Sequence, residues 1–160
     1  MTNWIYKGTE ITDISQFATN AFGFIYIIRQ ILPDGERGAF YVGKKQLQSR
    51  TNVKLGKKEL LAAPITRGRT KTKKLVVKES KWQDYLGSNK EFQTLYKEIG
   101  AENFVKEILH ISSNSKQLTY HELKQIILTG ALEDKLSFND NLLGKIFSKD
   151  LVDKESLLVL

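Results

Sequence analysis

The sequence predicts an α/β sandwich in which helices cover a small β-sheet, and three observations carry that prediction. The runs FGFIYIIRQ and AFYVG are β-branched and aromatic and are separated by Pro33-Asp34-Gly35, the composition of two strands and a turn. Further on, two segments with apolar residues at helical spacing flank a third strand-like run. Between these halves lies a stretch far more basic than the rest of the chain. The order β-β-(basic)-α-β-α suits helices packed on a small sheet.

The first twenty residues mix apolar and polar types without a clear period and read as a lead-in strand or loop that covers the core. Phe22 to Arg29 is the first main strand, with Phe22, Phe24, Tyr26 and Ile28 on one face, and Ala39 to Gly43 is its return. Residues 44 to 80 form the basic segment, an irregular stretch whose order depends on a ligand, with a short helix near Lys57 to Ala63 that Pro64 and Gly68 stop. Ser88 is placed to cap a helix whose apolar positions are Phe92, Leu95, Tyr96 and Ile99, and Gly100 closes it. Phe104 to Ile111 is a third strand. A Ser-rich cap, Ser112 to Ser115, then precedes a helix from about Lys116 to Leu128 that ends near Gly130. The final stretch, SKDLVDKESLLVL, reads as mixed helix or strand without a place in this scheme.

The chain of 160 residues has the length of one domain, residues 1–160, with the basic segment at about 44–80 resembling an insertion. No cysteine is present, which excludes a disulfide scaffold, a thiolate zinc site and a cysteine nucleophile and suits a reducing, intracellular setting. No segment approaches the roughly 20 apolar residues of a membrane span, so no membrane partner is expected. Of the net charge of +7, the stretch from Lys44 to Lys81 carries thirteen lysines and arginines against two glutamates, a local +11, while the remainder is at −4. Such a block is either a solvated loop or a surface that a polyanion neutralises, and phosphate backbones reward the second through counterion release.

Glu122 is the residue hardest to explain structurally. At about 100° per residue it falls about 40° from Leu118 and about 40° from Ile126, inside the apolar stripe of its helix. A carboxylate there pairs with a lysine, snorkels out, or binds a metal. Lys44 and Lys45 follow Gly43 where a strand leaves the sheet, and an ammonium near Tyr26 or Tyr41 favours the phenolate, a base that takes a proton from water for attack on a metal-polarised phosphate. The two histidines, His110 and His121, read as satisfied or exposed side chains rather than metal ligands. No Gly-rich phosphate loop, nucleophile elbow or calcium-loop pattern occurs.

FIY at Phe24 to Tyr26 followed by YVG at Tyr41 to Gly43 resembles the paired motifs of the GIY-YIG nuclease superfamily. More closely, the chain resembles the Seg-like homing endonucleases of tailed phages, through GFIYII, YVGKK, KESKWQDYLGS, GAENFVKEIL, LTYHELK and FNDNLLGKIF, over roughly residues 3 to 147. The resemblance implies a small mixed sheet flanked by helices. It implies hydrolysis of DNA phosphodiesters, in double-stranded DNA, with a single divalent ion, Mg²⁺ or Mn²⁺, by a phage protein in the cytoplasm of its bacterial host. Carried over by position, Tyr26 and Tyr41 are the motif tyrosines, one of them a general base. Lys44 or Lys45 stands where relatives keep a lysine, Glu122 is the metal ligand, and Asn139 in FND supports the site. Arg67, Arg69, Lys71, Lys73 and Lys74 of the basic segment grip DNA. Two departures stand out. The first motif glycine is Phe24, with Gly23 one place earlier. The superfamily's arginine on its first helix corresponds to Arg50 if that helix begins soon after Gly43. If KWQDY opens the helix, it corresponds to Lys81, with Tyr85 four residues on, and a lysine cannot grip phosphate bidentately. A catalytically inactive nucleic-acid-binding module of the same fold is the alternative, and both monomer and homodimer are compatible with the sequence.

Overall fold

A computed structural model describes residues 2–151. Its centre is a five-stranded mixed sheet in the order β2 (Thr9–Ile11), β1 (Trp4–Tyr6), β9 (Phe104–Ser112), β3 (Gly23–Ile31), β4 (Arg37–Gln46). All neighbours are antiparallel except β1 and β9, which run parallel with Trp4 opposite Lys106. Three α-helices occur among the described residues: α1 (Lys57–Leu61), α2 (Lys90–Ile99) and α3 (Ser115–Leu128). No helix among them is long and apolar enough to cross a membrane.

The sheet is buried on both faces, which explains why β3 reads as an unbroken apolar run. Phe24, Tyr26 and Ile28 face a cluster with Trp4, Trp82 and the α2 residues Phe92 and Tyr96. Ile25 and Ile27 face a second cluster with Phe40, Val42 and the α3 residues Leu118 and Ile126. Phe22 lies just ahead of the strand and packs with this second cluster, not beside Phe24 as simple alternation predicts. Each such aromatic or aliphatic side chain contributes about 1.5–3 kcal/mol on burial. The order of elements thus agrees with the sequence reading, and the lead-in is the β1–β2 hairpin, whose Trp4 is buried.

Helix starts differ in detail. The side chain of Asn89, not Ser88, caps α2 by accepting from the Phe92 amide at 2.9 Å, and Asn114 caps α3 by accepting from the Gln117 amide at 2.9 Å. Neither placement of the superfamily's first helix holds. After Gly43 the chain stays in β4 to Gln46 and continues into β5 (Gln48–Lys54), and KWQDY is a turn ahead of α2. Trp82 anchors the turn, its buried ring docked on Phe17 and Phe24.

The basic segment is more regular than its composition suggests. β5 pairs along its whole length with β8 (Lys73–Glu79), forming a two-stranded ribbon that carries α1 and the small β6 (Ile65–Thr66) and β7 (Arg69–Thr70) hairpin at its far end. After α3, residues 136–139 run alongside the edge strand β4, and β10 (Asn141–Leu142) pairs with β11 (Ile146–Phe147). Part of the unplaced final stretch forms a turn of 3-10 helix at Ser148–Leu151; residues 152–160 lie outside the described residues.

Candidate active site

The end of β4 organises the site, because strand alternation sends its side chains to opposite faces. Tyr41 packs on the α2 side, while Val42 and Lys44 face α3. Gly43 sits directly across from Tyr26. A Cβ at Gly43 would lie 2.5 Å from the Tyr26 hydroxyl oxygen, so the missing side chain is the space the phenol fills. Gly87 does the same for Tyr41: its φ of +94° suits glycine, and a Cβ there would lie 2.5 Å from Tyr41 Cε1. Gly23 gives its own close packing, under the Lys45 carbonyl and the Leu118 side chain, while Phe24 fills the core at 0 % exposure.

The Tyr26 and Tyr41 ring centroids are 6.4 Å apart, and a third phenol, Tyr85, stands edge-on to Tyr26 at 6.0 Å. Tyr26 is buried, whereas Tyr41 reaches the surface with its hydroxyl 3.2 Å from Ser88 Oγ. Lys45 lies with its ammonium 4.1 Å above the Tyr85 ring.

From the α3 side, the Glu122 carboxylate meets the Lys44 ammonium at 2.8 Å, and Lys44 also donates to Thr119 Oγ1 at 3.1 Å. Glu122 therefore escapes the cost of lone burial by pairing, and its side chain keeps 20 % exposure between the buried Leu118 and Ile126. Both groups open into a cleft of about 460 Å³ whose other walls include Tyr41, Ser88, Asn139 and Asp140.

Asn139 works through the backbone. The ladder along β4 runs from the Phe40 amide to the Leu136 carbonyl and from the Phe138 amide back to the Phe40 carbonyl. The Asn139 side-chain amide continues it by one step, accepting from the Val42 amide at 2.9 Å and donating to the Val42 carbonyl at 2.8 Å. It thereby fixes the strand between Tyr41 and Gly43.

The phenols are not made acidic by lysine, contrary to the reasoning from sequence. Burial pushes Tyr26 well above its ordinary value, helped by Tyr41, Tyr85 and Glu122. Burial also raises Tyr41, against the Ser88 hydrogen bond, with Glu122 and Asp140 adding to the rise. Lys44 spends its charge on Glu122.

The fold therefore brings Tyr41, Lys44, Glu122 and Asn139 to one cleft, with Tyr26 directly behind and Lys45 and Tyr85 on its flank. The other basic residues lie elsewhere. Arg50 is on the ribbon with its guanidinium 5.8 Å from the Phe22 ring, and Lys81 is exposed in the turn ahead of Trp82. Arg67 and Arg69 are on the small hairpin, Lys71 precedes β8, and Lys73 and Lys74 are exposed on it, Lys74 paired with Glu59. Reasoning from sequence missed Gly87, Thr119 and Asp140, and read Ser88 only as a cap; the one available signal was the Gly-Ser pair at a turn, which is common in loops. Among the described residues no three His, Cys, Asp or Glu side chains cluster as a metal cage. Glu122 and Asp140 nonetheless offer hard oxygen donors in an open, polar cleft, the setting of an ion such as Mg²⁺ that keeps several waters and takes one or two carboxylates plus substrate phosphate.

Residues 4–142 match a family model described as "Putative endonuclease segE, GIY-YIG domain". No curated protein and no solved structure matched the chain.

Proposed function

The chain belongs to the SegE GIY-YIG endonuclease domain family, and from that premise we propose that residues 1–160 act as one divalent-metal-dependent endonuclease domain hydrolysing phosphodiesters of double-stranded DNA. The observation that carries this reading is the convergence of Tyr41 and Lys44, from the edge strand β4, and Glu122, from helix α3, on one cleft.

In this reading Glu122, with Asp140 lining the same cleft, would hold Mg²⁺ or Mn²⁺. A bound ion would polarise the phosphate and make water more acidic. Tyr41, the phenol that reaches solvent, orients the attacking water and, in its deprotonated form, takes the water's proton to become the neutral phenol, with Ser88 fixing its oxygen. Tyr26 is a positioning residue, wedged against Gly43 so that Tyr41 has one seat. Lys44 moves from Glu122 toward phosphate when substrate enters, and Asn139 keeps β4 in register. Arg67, Arg69, Lys71, Lys73 and Lys74 hold the DNA backbone.

The test is nicking of supercoiled plasmid with Mg²⁺ and with EDTA, comparing wild type with Glu122→Ala and Tyr41→Phe. Metal-dependent nicking lost in both variants supports the assignment, and equal activity in all three refutes it. A second reading, a binding module without catalysis, is favoured by the Lys44–Glu122 pair, which occupies the carboxylate, and by the raised phenols. It requires tight, salt-sensitive DNA binding with no cleavage under any metal.

A further inference from the structure

We propose that one face of the β5–β8 ribbon, made by Arg50, Asn52, Lys54, Lys73, Leu75 and Val77, enters the major groove of duplex DNA beside the cleaved bond and reads base edges there. This deepens the nuclease reading and rests on it: the ribbon would decide where the cleft cuts.

The register places these six together, because Arg50 lies opposite Val77, Asn52 opposite Leu75 and Lys54 opposite Lys73, and directly opposed residues of an antiparallel pair share a face; the same face ends at the sheet with Gln48 opposite Glu79, whose carboxylate is taken up by Trp82 Nε1 and Gln83 Nε2. All six are exposed, Leu75 at 57 % and Val77 at 46 %. A two-stranded ribbon with no core beneath it is marginal in water, so two exposed aliphatic side chains in its middle call for a surface to cover them. The charge selects the surface: the two strands carry five lysines and arginines against Glu79 alone, which complements a polyanion.

Duplex DNA also fits by size and chemistry. Strands roughly 4.8 Å apart fit a major groove about 12 Å wide, and seven residues span about 23 Å, less than one turn of the double helix. Asn52 has the amide that pairs bidentately with adenine, Arg50 the fork that pairs with guanine, and Leu75 and Val77 can cover thymine methyls. Lys54 and Lys73, paired at the end of the ribbon away from the sheet, suit the phosphates. The opposite face is the poorer reader: Val76 is half-buried and Lys74 is paired with Glu59.

The base of the ribbon is fixed to the site. Leu47 is 2 % exposed, its amide donates to the Phe22 carbonyl at 3.0 Å, and its carbonyl accepts from the Ser80 amide at 2.8 Å. Both strands therefore leave the sheet from a clamped point just beyond Lys44 and Lys45. Arg50 leans over Phe22, which packs with the cluster on the α3 side of the sheet, the side that Lys44 faces.

The test uses the full chain carrying Glu122→Gln, so that DNA is bound without being cut, and a library of randomised 30-base-pair duplexes from which bound sequences are selected. Asn52→Ala and Leu75→Ala, added singly, are expected to flatten the sequence preference by about tenfold at one or two positions with the salt dependence unchanged, and Arg50→Ala to uncover guanine N7 in the groove to methylation. Thr51→Ala on the opposite face serves as the folding control and should leave the profile intact. The proposal is overturned if Asn52→Ala and Leu75→Ala keep the wild-type profile, if Thr51→Ala flattens it equally, or if duplex RNA, whose major groove is too narrow for a ribbon, binds as tightly as DNA. Separate nicking assays on the chain with Glu122 intact keep the two readings apart. Ribbon-dependent groove protection without any cleavage supports the groove proposal and sinks the nuclease reading, whereas metal-dependent cleavage with a profile indifferent to the ribbon does the reverse.

Discussion

The Lys44 ammonium lies 2.8 Å from the Glu122 carboxylate, joining the end of an edge strand to the middle of a helix. Two groups proposed to handle phosphate and metal are thus each other's counterions in the free protein. On that proposal, binding DNA and an ion would exchange one internal pair for two external ones and keep the site electrically balanced before and after.

Breaking that pair from either side has different consequences for stability and for activity. With side-chain exposures of 34 % and 20 %, the pair is screened by water, so Lys44→Met or Glu122→Gln should change stability by about 1 kcal/mol or less, read as a small shift of melting temperature. Nicking should fall about a hundredfold or more in Glu122→Gln, and excess Mg²⁺ should not restore it. A melting temperature that collapses in either variant would mean that the pair is structural and that the loss of activity says nothing about chemistry.

The raised phenol of Tyr41 fixes the sign of the pH dependence. A general base works deprotonated, and burial with Glu122 and Asp140 nearby places its titration above the ordinary 10. Below that point the ionised fraction grows tenfold per pH unit, so the nicking rate should rise about tenfold per unit between pH 7 and 9 without a plateau. Tyr41→Phe should remove the slope along with most of the rate. A flat or bell-shaped profile centred near neutrality would assign the base elsewhere.

Gly43 offers a double-mutant test of the tyrosine packing. A methyl group there would strike the Tyr26 hydroxyl at 2.5 Å, and interior overpacking costs about 1–3 kcal/mol. Gly43→Ala should therefore destabilise by that amount, and adding Tyr26→Phe, which removes the oxygen struck, should return part of it. Additive losses in the cycle, measured by chemical denaturation, would show that the two residues do not compete for this space.

What could be read from sequence and what could not divides along the range of the interactions. The hairpin of β3 and β4 is encoded locally, in alternation and a Pro-Asp-Gly turn, and it was legible together with its tyrosines. Glu122 stood out because a helix repeats every few residues, so a charge within the stripe is visible without coordinates. The ribbon was missed because β5 and β8 join polar residues across a long excursion, where no periodicity marks a partner. The Asn139 bonds to Val42 span 97 positions, and only the family resemblance pointed to that residue. Phe22 was put on the wrong face because it lies just ahead of Gly23, where the strand begins.

Lys106 supplies a prediction on the loop that seats the tyrosines. The residue is 3 % exposed, its ammonium donates to the Gln83 carbonyl at 2.5 Å and lies 4.3 Å over the Trp4 ring, and burial pulls its pKa down to about 8 despite the nearby Asp84. Below pH 8 it is charged in both folded and unfolded chains, and the folded state bears the whole desolvation cost. Between about 8 and the ordinary 10.5 the folded chain has released the proton while the unfolded chain still holds it, so this group's penalty is relieved as pH rises. Subtracting a Lys106→Met melting series from the wild-type series cancels the other titrating groups, including the tyrosines that oppose the trend near pH 10. The difference should favour wild type increasingly from pH 8 to 10, by at most about 3 kcal/mol. Because the Gln83 carbonyl is two residues from Tyr85 and four from Gly87, the same substitution should also loosen the seat of Tyr41 and lower nicking at pH 7, where folding itself is intact. A difference that is flat with pH would mean that the ammonium finds water in the folded chain and does not tie this loop to the sheet.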